Sequence, residues 1–236
     1  MGASFQTTRW SLILEAASGR DEAARTALGD LCAAYWAPVH DYVRRRGVPE
    51  DESLDVTQAY FAALIDKKFL RDLRPEAGRF RAFLYVSVRN FLSHWREAAR
   101  AAKRGAGRAL VSLEWLTESG AVEPAGPDSV EREFHRRWAR TVVDRTLAAL
   151  ERDFEAHDPQ QRFALLRPHL LGDGPAVTYA EIAARLDVTE GAVKSMVRRL
   201  RKRFGVLLRA EVARTVDDPE QVDDEIRFLL LALSEP

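Results

Sequence analysis

The chain of 236 residues holds one cysteine, two methionines and no net charge, its 36 Lys+Arg balanced by 36 Asp+Glu. A single thiol, Cys32, closes no intramolecular disulfide and points to a reducing compartment. It also excludes any zinc site that needs two or more cysteines. The five histidines, at positions 40, 94, 135, 157 and 169, show no ligand spacing, so neither a metal nor a cofactor is expected. No stretch approaches the roughly 18 apolar residues of a membrane span. The N-terminal MGASFQTTRWSLIL lacks the basic start and long apolar core of a signal peptide, so a cytoplasmic protein is expected. Gly105-Ala106-Gly107 has no strand before it, and no P-loop or nucleophile–base pair occurs. No enzymatic activity of its own is expected.

Neutrality would argue against a nucleic-acid partner if the charge were evenly spread, and it is not. Residues 79–108 carry eight basic side chains against one acidic, +7, and residues 188–214 carry eight against two, +6. Residues 1–78, 109–187 and 215–236 come to −2, −5 and −6. Two compact basic blocks stand in an otherwise acidic chain.

Helical periodicity dominates, and no strand alternation is convincing. Leu12, Ala16, Ala23, Ala27, Leu28, Leu31, Trp36, Val39 and Tyr42 recur at three- and four-residue steps, with breaks expected near Gly19 and at Pro38. Further helices are expected over about 51–66, 79–102 and 129–156, the last opened by a capping-box pattern at Asp128 and Glu131. Thr178 and Glu181 open a short helix ending near Asp187, and Thr189 caps a longer one. After Asp218-Pro219, Val222, Ile226, Leu229, Leu230 and Leu233 form an apolar stripe on an acidic helix. The expected fold is all-α: a helical domain over 1–108, a Gly/Pro/Ser-rich linker over 109–128, a second domain over 129–214 and an acidic C-terminal extension over 215–236.

Residues 178–204 read as a helix-turn-helix. Ile182, Ala183 and Leu186 face Val193, Val197, Leu200 and Phe204 across a short turn at Asp187. The second helix then carries Lys194, Ser195, Arg198 and Arg199 outward, suited to a major groove, with Arg201, Lys202 and Arg203 nearer phosphates or solvent. In the other basic block, Phe80, Leu84, Val88, Phe91 and Trp95 form a buried stripe. Beside it Arg81, Tyr85, Arg89, Ser93, Arg96, Arg100 and Lys103 form a cationic strip with one ring, suited to a nucleic-acid backbone and a stacked base.

These residues carry a resemblance. Asp55-Val-Thr-Gln58-Ala-Tyr60-Phe61, then Gly78-Arg-Phe80-Arg81-Ala-Phe83-Leu84 and Arg89-Asn90, resemble region two of bacterial RNA polymerase sigma factors of the extracytoplasmic-function (ECF) type. Tyr179-Ala-Glu-Ile-Ala-Ala-Arg-Leu and Glu190-Gly-Ala-Val-Lys-Ser resemble the region-four helix-turn-helix of the same group. The resemblance implies core RNA polymerase as a partner, with Asp55, Gln58 and Phe61 on the clamp coiled coil of its β′ subunit and region four touching the β flap. It implies promoter DNA as the second partner: Arg74, Arg79, Arg81, Tyr85, Arg89 and Asn90 at the −10-type element, where an extruded base is read, and Lys194, Ser195, Arg198 and Arg199 at the −35-type element. An anti-sigma factor or other regulator is a further class of partner.

Three departures stand out: Met196 where the group usually has a polar or basic residue, Asp187 in place of the turn glycine, and an unusually long Arg152–Thr178 stretch. The acidic extension reads as a packed helix, or more sharply as a shield over a basic surface or a regulator's docking segment. The alternative function is a helix-turn-helix repressor or activator that binds duplex DNA without joining the polymerase. A nucleic-acid-processing enzyme is the rival from another class.

Overall fold

A computed structural model describes residues 22–65, 80–103, 129–155, 162–171, 177–216 and 218–234. Among them every regular element is helical: α1 (Glu22–Arg45), α2 (Glu50–Ile65), α3 (Phe80–Lys103), α4 (Ser129–Glu155), α5 (Phe163–Leu166), α6 (Pro168–Leu171), α7 (Tyr179–Leu186), α8 (Glu190–Ala213) and, after a 3-10 turn at Pro219–Gln221, α9 (Val222–Ser234). The all-α class is therefore as the periodicity implies. No helix among the described residues is long and apolar enough to cross a membrane. Two compact units result, Met1–Thr141 with Val212–Pro236, and Val142–Glu211.

These units do not follow the limits read from composition. The division falls inside α4, residues 109–128 lie outside the described residues, and the C-terminal extension joins the first unit. Burial is the cause. Phe134, Trp138 and Ala139 at the start of α4 are buried. Trp138 Nε1 donates to Tyr35 Oη at 3.0 Å, and the Phe134 ring lies 5.8 Å from Tyr42 and 5.5 Å from Tyr85.

In the first unit α1 runs through Pro38, contrary to the expected break. An interior proline costs about 3 kcal/mol, but Tyr35, Val39, Tyr42 and Val43 around it are all buried. At roughly 1.5–3 kcal/mol for each large apolar side chain, burial outweighs the proline. Gly47, at φ 81, ends α1 in a backbone conformation that favours glycine, its N–H donating to Arg44 O at 2.9 Å. On α3 the expected stripe is buried from Phe80 to Phe91, while Trp95 is only half-buried. Tyr60 from α2 meets α3 through an edge contact with Phe91, centroids 5.6 Å apart, and a 2.6 Å hydrogen bond with Ser87 Oγ. Such ring pairs add about 0.5–1.5 kcal/mol each beyond their area.

Helix α9 turns a different face inward from the one its leucines suggest. Val222, Glu225, Leu229 and Ala232 are buried, Ile226 and Leu233 are half-buried, and Leu230 and Leu231 are exposed. A carboxylate in the middle of the buried face rotates the helix relative to the apolar stripe.

The second unit has its own core. Leu150, Phe163, Leu166, Leu170, Ile182, Ala183, Val193, Val197 and Leu200 form one cluster. Phe163, Leu166 and Leu170 of this cluster come from the stretch 152–178, through the short helices α5 and α6.

Candidate nucleic-acid interface

The second unit presents a helix-turn-helix whose ends are fixed by side chains. Thr178 precedes α7 in an extended conformation, and its Oγ1 accepts from Glu181 N at 3.3 Å. Glu181 Oε2 accepts from Thr178 N at 2.7 Å and from its hydroxyl at 2.9 Å. The box satisfies amide donors that a helix start leaves open. The same N–H, then the hydroxyl, hold the Glu181 carboxyl below its ordinary range. Asp187 makes the turn in the left-handed region, φ 54 and ψ 49, and its N–H closes on Ala183 O. Thr189 Oγ1 then accepts from Ala192 N at 3.2 Å to start α8. Ala183 is buried at the crossing, where a larger side chain would push α7 away from α8.

With Val193, Val197 and Leu200 turned into the cluster, the opposite face of α8 is left to solvent. Lys194, Ser195, Arg198 and Arg199 are all exposed. Lys194 is 3.9 Å from Glu190, a pair exposed on both sides and weak for that reason. Ser195 Oγ donates to Gly191 O at 2.9 Å, leaving its lone pairs outward. Arg198 and Arg199 are exposed and have no ion pair among the described residues. Neighbouring cations are used internally: Arg203 forks onto Asp153 with both bonds at 2.8 Å, and Arg201 donates to His169 O at 2.8 Å. Met196 packs against the cluster, which accounts for an apolar residue in a basic run.

Residues 176–204 match the family model of sigma-70, region 4. The matched span covers α7, the turn and α8 as far as Phe204. The rest of the chain lies outside it, and neither a curated protein nor a solved structure matches the chain. Within the matched segment the four side chains picked out for base contact stand together on one exposed helix face.

The first unit distributes its expected contacts differently. Arg74 and Arg79 lie outside the described residues. Arg89 and Asn90 are half-buried on α3. Arg81 and Tyr85, expected on an exposed strip, are buried at 6% and 3% exposure. Tyr85 is enclosed by rings, with Tyr42 and Phe134 both 5.5 Å away and His135 at 5.8 Å. Arg81 Nε donates to Glu225 Oε1 of α9 at 2.6 Å, its guanidinium carbon 3.4 Å from the Phe228 ring centroid and 5.6 Å from that of Trp138. The strip is therefore open only beyond these two residues; Ser93 and Arg100 are exposed, whereas Arg96 is half-buried and donates to Arg46 O.

On α2, Asp55 and Gln58 are exposed beside Leu54, a 58% exposed apolar residue, and Asp51 and Glu52 share that surface. Phe61 is not on it. At 4% exposure it stacks on Trp36 with centroids 5.3 Å apart and belongs to the core. Sequence reasoning missed Glu225 and Trp138 as partners of Arg81. The signal was present in the spacing 222, 225, 229 and 232, which makes a helical stripe only if the glutamate is counted in.

Proposed function

We propose that this chain is a sigma factor of the ECF type, a dissociable subunit that joins core RNA polymerase and directs it to promoters. The observation that carries the reading is the region-4 match on residues 176–204, on a helix whose Lys194, Ser195, Arg198 and Arg199 face outward. In this reading α8 enters the major groove of a −35-type element, where a bidentate arginine–guanine contact discriminates by about 1–3 kcal/mol. The α3 face bearing Arg89 and Asn90, with Arg74 and Arg79 in the stretch before it, meets the −10-type element. The exposed acidic surface of α2, with Asp55 and Gln58, meets the polymerase clamp, and Phe61 supports that surface from beneath.

Runoff transcription decides it. Core polymerase with this protein should give discrete transcripts from fragments of the source genome, and core polymerase alone should not. Tight duplex binding by the protein alone, with no transcript under any template, would overturn the sigma reading in favour of a repressor or activator.

A further inference from the structure

We propose that helix α9 is an intramolecular lid over Arg81, released when that guanidinium is taken by a nucleic-acid phosphate. The inference rests on the proposal that the α3 face meets nucleic acid. Arg81 stands four and eight residues before Tyr85 and Arg89, at the N-terminal end of that face. It is closed off from the α9 side by two groups of opposite character, the Glu225 carboxylate at 2.6 Å and the Phe228 ring at 3.4 Å from the guanidinium carbon. The segment before α9 is tied to the same helix end: Phe80 N donates to Thr215 O at 3.2 Å, and Thr215 and Val216 are buried. The strap is thus anchored at 215–216, with α9 as its terminal arm.

The chemistry of the arm suits release. A helix of 13 residues is marginal by itself in water. Its inward face carries a fully buried carboxylate, and a buried ion pair holds a helix less firmly than an apolar contact of the same size. Opening returns Glu225 to water while Arg81 pairs with a phosphate, to which guanidinium binds as it binds carboxylate. Asp218, Glu220, Asp223 and Asp224 are exposed on the strap, so the arm itself carries negative charge. Tyr85 is enclosed by α1 and α4 and stays covered when α9 leaves.

The test uses the full chain and a mixed-sequence DNA single strand. Hydrogen exchange across 222–234 should rise when the strand binds; unchanged exchange in a bound complex would overturn the lid. Glu225→Lys should release α9 without ligand, tighten strand binding several-fold and steepen its salt slope by about 0.7 for each further phosphate neutralised. The new lysine adds charge of its own, so the tightening must disappear when Arg81→Gln is added; tightening that persists, or released α9 with unchanged affinity, sinks the proposal. If Glu225→Lys does not fold, Phe228→Ala keeps the carboxylate and serves with the same readouts. Runoff transcription separates the two readings. Strand-induced opening without transcription would overturn the sigma assignment and leave the lid, whereas transcription with α9 protected throughout would do the reverse.

Discussion

His135 is the residue at which the first unit should respond to acid. Burial, and after it the positive charge of Arg81, push its pKa from 6.5 down to about 3. Glu131 Oε1 lies 3.6 Å from Nε2. Nδ1 is buried with no hydrogen-bond partner among the described residues, so the folded ring is neutral. The unfolded chain takes up the proton near pH 6.5 and the folded chain only near pH 3. Stability from this group is therefore whole above about 6.5 and declines as the pH falls toward 3, by at most about 1.4 kcal/mol per unit. Urea unfolding at pH 7 and pH 5 should differ by up to about 2 kcal/mol on this account. His135→Leu should remove most of that difference while leaving the protein folded at pH 7, and an equal pH response in the variant would show that other groups carry it.

At the scale of the element, the helix-turn-helix is where local chemistry and tertiary packing agree. The Thr178–Glu181 box, the Asp187 turn, the Thr189 cap and the Val193–Val197–Leu200 face were all legible in the sequence, because each depends on residues within a few positions. Thr178→Ala should cost about 1 kcal/mol, read as a lower melting temperature. Asp187→Gly should be neutral or mildly stabilising, since φ 54 strains any side chain and glycine least. Asp187→Val, β-branched in the same well, should lose about 1–2 kcal/mol; equal stability of the glycine and valine variants would contradict the strained turn. Features whose fate is set by distant partners were not legible in this way. Pro38 stays helical because its turn is buried, Phe61 is drawn inward by Trp36, and Tyr85 is closed over by Phe134 and His135. In each case periodicity identifies a helix face but not which neighbouring helix covers it.

For the whole molecule, zero net charge conceals an uneven placement of exposed charge over the two compact units. The exposed cations Arg198 and Arg199 lie in the second, and the exposed acidic surface of α2 with Asp55 and Gln58 lies in the first. If the chain is a sigma factor, these surfaces should fail independently. Arg198→Ala with Arg199→Ala should lose about 1–3 kcal/mol of discrimination for each base contact removed, and transcription should fall at promoters of one −35-type sequence. Core polymerase capture should be unchanged. Asp55→Ala with Gln58→Ala should weaken capture and lower transcription at every promoter alike, and leave binding to duplex DNA untouched. Both pairs are exposed to solvent, so unfolding free energies should stay within about 0.5 kcal/mol of the parent. Salt separates the two further. DNA binding that uses six or more phosphates should lose roughly a thousand-fold between about 50 and 200 mM salt, and the arginine variants should show a shallower slope. A loss of polymerase capture in the Arg198/Arg199 variant, or promoter-selective failure in the Asp55/Gln58 variant, would mean that the tasks are not divided between the units in this way.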